Sequence, residues 1–146
     1  MNGPVLLALA AAAWLAAQDA NAMSQAEYKA QRARVQAAYA TAKDRCTSVQ
    51  GSVRVCDAEA RRDYDIARAD LRARYRPTPN NMEKAQRMKA DGEFRVAVEK
   101  CGDLRDGAKA LCQEEAKTKW KSAKGEALAE RAEHRKQARL EKSQRP

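Results

Sequence analysis

Apolar positions recur at helical spacing along four stretches of the chain. Tyr28, Val35, Tyr39, Ala42 and Cys46 fall on one stripe, and Cys56, Ala60, Tyr64, Ala67 and Leu71 on a second. Ala90, Phe94, Ala97 and Cys101 form a third, and Cys112, Ala116, Trp120, Ala123 and Ala127 a fourth. Steps of three, four and seven residues place side chains on one face of an α-helix. The positions between are mainly Lys, Arg, Glu, Asp, Gln and Ala, all compatible with helix. Asp57–Arg61, Asp70–Arg74, Glu83–Arg87 and Glu115–Lys119 are spaced i, i+4 with the acid first, the favourable order on a helix surface.

The helix ends are marked. Ser24 with Glu27, and Asn80 with Glu83, have the spacing of capping boxes. Ser52 and Asp106 are placed to cap the second and fourth helices. Pro77-Thr78-Pro79 interrupts helix between the second and third.

The four stretches are two copies of one unit. Lys29-Ala30-Gln31-Arg32 recurs as Lys84-Ala85-Gln86-Arg87, and at the same offset Tyr39 matches Phe94 and Cys46 matches Cys101. After one inserted residue, Gly51 matches Gly107, Cys56 matches Cys112, Glu59-Ala60 matches Glu115-Ala116 and Tyr64 matches Trp120. The unit is helix, Cys, short loop, Cys, helix. The expected fold is therefore all-α, two tandem antiparallel helical hairpins of coiled-coil character. Hairpin 1 covers residues 23–76, a Pro-rich linker 77–81, hairpin 2 residues 82–132, and a charged tail 133–146, read as a fraying helix.

In each unit one Cys stands near the end of a helix and the other near the start of the next, both on the apolar stripe. Folding the hairpin brings them together at its neck, so Cys46–Cys56 and Cys101–Cys112 is the economical pairing. Cross-pairing would force the two necks to meet. The seam is mostly Ala, which buries little area at about 25 cal/mol per Å². Closing a loop of this size is worth about 2.5–3 kcal/mol in the chain-entropy model, so the hairpins are expected to depend on their disulfides.

Cysteine use bears on compartment. Residues 4–17 are uncharged and built from Val, Leu, Ala and one Trp, and Ala20-Asn21-Ala22 offers a small-x-small cleavage site. Residues 1–22 are accordingly read as a signal peptide. The run is shorter than the roughly 20 residues of a membrane span, and the mature chain is expected to contain none. Export to the periplasm or beyond would permit both disulfides. Met23 is a possible internal start, and a chain beginning there would be cytosolic.

The full chain carries 29 Lys and Arg against 20 Asp and Glu, a net charge of +9. Removing residues 1–22 takes away Asp19 and no base, which raises the net charge to +10. That balance favours anionic partners, here anionic envelope components or acidic proteins. Interleaving of acids among the bases also fits a solvated surface.

No catalytic constellation is present: no G-x-S-x-G, no phosphate-cradling Gly loop, no H-E-x-x-H, and no His near a nucleophile. The Cys spacing is neither the C-x-x-C of a redox centre nor that of a zinc site. His134, the single histidine, stands in the charged tail and is read as an exposed surface residue. The aromatics Tyr28, Tyr39, Tyr64, Tyr75, Phe94 and Trp120 are read as seam residues rather than as base-stacking platforms.

Cys46, Gly51, Cys56, Glu59, Ala60, Tyr75, Pro77, Thr78, Pro79, Cys101, Gly107, Cys112, Glu115, Ala116 and Lys117 carry a resemblance over most of residues 25–130. The chain resembles a family of exported proteobacterial proteins with tandem Cys-pinned, Ala/Lys-rich helical hairpins and a Tyr-x-Pro-Thr-Pro-like linker. Such proteins are sometimes labelled with cell-envelope biogenesis, a label that Ala/Lys composition shared with long periplasmic coiled coils would produce by itself. The necks also resemble the helical hairpins of the mitochondrial intermembrane space, which carry two disulfides per hairpin where this chain has cysteines for one.

The expectation is a non-enzymatic exported helical protein that acts by surface interaction at the envelope. It needs no cofactor or metal, and no small-molecule substrate is evident. Two alternatives differ in class: a metal or redox carrier using the Cys pairs, and a basic polyanion- or nucleic-acid-binding protein if translation starts at Met23.

Overall fold

The computed structural model describes residues 23–144 and contains four helices: α1 (Gln25–Cys46), α2 (Val53–Tyr75), α3 (Pro79–Cys101) and α4 (Asp106–Ser143). The segment read as a signal peptide, residues 1–22, lies outside the described residues. No strand occurs among the described residues, and the all-α class holds.

Local chemistry sets the helix starts. The Ser24 hydroxyl accepts from the Glu27 amide, and the Glu27 carboxylate accepts from the Ser24 amide, the reciprocal pair of a capping box. Ser52 caps α2 by accepting from the Val55 amide. The third start differs from expectation. Thr78 is the cap, accepting from the Asn81 amide, and Pro79 opens α3. A proline costs nothing at the first helical position, where its missing N–H would have had no partner. The interruption is thus shorter than 77–81, and Asn80 and Glu83 lie inside the helix. Asn81 Nδ2 donates to the Arg76 carbonyl at 2.8 Å, tying the new helix to the end of the old one. At α4 the expected cap Asp106 is instead the first helical residue, with φ at 49°, and no side chain caps that start.

Both disulfides form in the economical pairing, Cys46–Cys56 and Cys101–Cys112, with Cα separations of 5.6 and 5.7 Å. Aromatic pairs fill the hairpin seams. Tyr28 stacks on Tyr75 at 4.4 Å, Tyr39 on Tyr64 at 4.6 Å, and Phe94 on Trp120 at 5.2 Å.

The hairpins are not separate. Each helix packs on its neighbours in the chain, α1 on α2, α2 on α3 and α3 on α4, and the other helix pairs do not approach. The result is a row of four antiparallel helices. Helix α3 shows why. Glu83, Ala90 and Cys101 are buried on one side, in line with Phe94 and Ala97. Ala85, Gly92 and Val96 are buried on a second stripe, about half a turn away at 100° per residue. That second stripe faces α2, because a Cβ built on Gly92 would meet Arg62 Cγ at 2.6 Å. Glu59–Lys100 at 2.9 Å, Arg54–Glu99 at 3.7 Å and Asp65–Arg95 at 2.9 Å also join α2 to α3.

Of the anticipated i, i+4 pairs, Glu83–Arg87 forms, at 3.5 Å. Asp57 reaches across the seam to Lys43 instead, and Arg61 bonds Asp65. Helix α4 is 38 residues long against 23 for α3. Arg131 lies beside Glu83 near the start of α3, so the last turns of α4 project beyond it. The charged tail is therefore helical to Ser143.

Candidate functional site

Because alternate helices run in opposite directions, both disulfide necks stand at one end of the row and Arg76–Thr78 at the other. All four sequence-predicted cysteines are brought together in pairs, and none of the described cysteines is free. The two pairs are held on separate necks. Among the described residues, no group of three or more His, Cys, Asp or Glu is placed to hold a metal ion. His134 is half-buried on α4 rather than exposed.

A groove of about 300 Å³ crosses the other part of the row, over the second half of α2. Its floor is one face of α2, with Asp65, Arg68, Ala69 and Arg72 at helical spacing around the buried Leu71. Tyr28 and Arg32 of α1 form one wall. Asn81, Lys84 and Met88 of α3 form the other. Four cations therefore converge from three helices. None of them has a carboxylate partner among the ion pairs of the described residues. The single acid in the lining is already engaged: Asp65 Oδ2 accepts from Arg61 Nε at 3.1 Å and from Arg95 Nη2 at 2.9 Å. Its bond to Arg61 raises that guanidinium's pKa further, with a smaller contribution from Tyr39. Arg68 lies over the Tyr64 ring, 5.2 Å from its centre, which fixes one edge of the groove.

The second repeat fills the matching positions with its own side chains. By the repeat's register Lys124 answers Arg68, and it sits 4.1 Å above Trp120 as Arg68 sits above Tyr64. Arg87 answers Arg32, Glu83 answers Tyr28, and Arg131 answers Tyr75. Where the first repeat has stacked tyrosines, the second has a carboxylate that is 7% exposed. It accepts from Arg131 Nη1 at 3.0 Å and from Arg87 Nη1 at 3.5 Å. Trp120 Nε1 donates to Asp91 at 2.6 Å, a bond for which the first repeat has no acid at the matching position, Gln36.

The groove cations went unnoticed in the sequence because Arg and Lys are spread along every helix. The available signal was the break in the repeat, where Tyr28 and Tyr75 meet Glu83 and Arg131. The groove holds cations, one occupied carboxylate, an amide and apolar floor residues, a set suited to holding an anion. Comparison with family models, with curated proteins and with solved structures gave no match to this chain.

Proposed function

We propose that the protein works outside the cytoplasm, in the periplasm or as a secreted protein, as a non-catalytic helical module acting by surface interaction at the cell envelope. The observation that carries this reading is the pair of disulfides with no free thiol among the described residues. Such bonds persist where the medium is oxidising and are reduced in an ordinary cytosol. The absence of a span among the described helices is compatible with it. The groove chemistry supports interaction over catalysis, since its one carboxylate is committed to two guanidinium groups and cannot serve as a free base.

The test is fractionation of cells that make the protein, with thiols alkylated before lysis and intact mass read on each fraction. The expected result is a mature chain outside the cytoplasm with no alkylated cysteine. Four alkylated cysteines on a cytosolic chain would sink the proposal.

A further inference from the structure

We infer that the groove between α1, α2 and α3 is a binding site for a phosphate-bearing anion. This deepens the surface-interaction reading and rests on it for location only. The site is concave, its volume of about 300 Å³ is at the lower end of small-ligand sites, and its cations come from both walls and the floor. Arg32, Arg68, Arg72 and Lys84 repel one another across it, and no carboxylate of the described residues pairs with any of them. Asp65 offers no relief because Arg61 and Arg95 already hold it.

The second repeat supplies an internal comparison. There the cation matching Arg32 is Arg87, and it is neutralised by Glu83 from within the fold. In the first repeat the matching position is Tyr28, which brings a ring and a hydroxyl but no charge. The first repeat thus leaves open, to solvent, the charge that the second fills with its own side chain. An anion supplied from outside would complete it. Guanidinium groups suit phosphate, which accepts paired N–H donors in their planar geometry. Tyr28, Leu71 and Met88 add apolar surface against which a nonpolar part of the ligand can lie. Free phosphate esters and phospholipid headgroups share this chemistry.

The experiment titrates inorganic pyrophosphate into the full oxidised protein by calorimetry at low salt. Co-sedimentation with phosphatidylglycerol vesicles runs in parallel, with phosphatidylcholine vesicles as reference. The groove variant is Arg32→Gln with Arg72→Gln, both at exposed helical positions. The control is Arg135→Gln with Lys136→Gln, which removes equal charge from α4, outside the groove. Helicity of both is checked by circular dichroism. The expected result is saturable pyrophosphate binding that weakens about tenfold or more in the groove variant and holds in the control. Vesicle binding lost in the groove variant alone assigns the phosphate to a lipid headgroup, with or without pyrophosphate binding. Pyrophosphate binding without vesicle binding assigns it to a free anion. Equal weakening in both variants, binding indifferent to the groove variant, or no binding of either probe overturns the inference.

Discussion

Gly92 shows how one residue sets the distance between two helices. A Cβ there would lie 2.6 Å from Arg62 Cγ, 3.1 Å from its Cβ and 3.3 Å from its Cα. Gly92→Ala gains about 1 kcal/mol in helix propensity but overpacks a tight crossing, which costs about 1–3 kcal/mol. A net loss near 1 kcal/mol is expected in denaturant unfolding. In an Arg62→Ala background the nearest obstructing atom is gone, so the loss should shrink; an undiminished loss would show that the crossing is not the cause. Glu27 tests the capping box at the same scale. Bonding first to the Ser24 backbone amide and then to its side chain holds this carboxyl below its ordinary 4.5. Because the folded value is the lower one, its contribution is present above the ordinary glutamate range and disappears as pH falls through the folded value. In an NMR titration Glu27 should titrate below the ordinary glutamate value, and Ser24→Ala should bring it only part of the way back, because the residue 24 amide that is the larger cause remains. Both Ser24 and Glu27 were legible in the sequence because a cap is a local motif. Gly92 was not, because its reason lies on another helix.

At the scale of the element, α3 carries two faces, and only one of them was readable. The stripe through Ala90, Phe94, Ala97 and Cys101 stands out because an aromatic and a cysteine mark it. The stripe through Ala85, Gly92 and Val96 consists of small residues in a chain where Ala is common, so it offers little contrast with a solvated face. The two disulfide-closed hairpins form as expected, but their packing side by side into one row was not readable. The α3–α4 seam also contains an ion pair that the repeat places where α1 and α2 stack tyrosines. Arg131→Ala would leave Glu83 buried with only the longer bond to Arg87, a loss of about 1–3 kcal/mol by denaturant unfolding. Glu83→Tyr combined with Arg131→Tyr installs the first repeat's pair. That double variant should be closer to the native stability than Arg131→Ala. If it is as unstable as the single variant, the two repeats do not share a seam geometry.

Across the whole molecule the row is uneven, and α1 is its weak end. Cys46 is its one buried residue, while α3 buries residues on two sides and α4 buries Ala116 and Ala127 against it. Among the described residues, α1 packs on α2 alone, and it is held there by the Cys46–Cys56 bond, the Lys43–Asp57 ion pair and the two tyrosine stacks. Both thiols and tyrosines were visible in the sequence, but the inequality between the hairpins was not, since the α2–α3 packing that supports the other three helices was not foreseen. Removing a bond that closes so short a loop costs about 2.5–3 kcal/mol in the chain-entropy model. On α1 there is little burial to offset it. Cys46→Ser with Cys56→Ser should therefore release α1 while α2, α3 and α4 stay docked. Hydrogen exchange should lose protection over residues 25–46 and keep it over α3. Cys101→Ser with Cys112→Ser should leave α4 in place, because Phe94–Trp120 and Glu83–Arg131 still bind it to α3. Equal loss of protection across all four helices in the first variant would mean that α1 is an integral part of the core. Because α1 supplies Tyr28 and Arg32 to the groove, its release also removes one wall of that groove. Pyrophosphate binding should then fall in the Cys46→Ser/Cys56→Ser protein and persist in the Cys101→Ser/Cys112→Ser protein. The first disulfide would in that case hold together the groove, and the second only the seam.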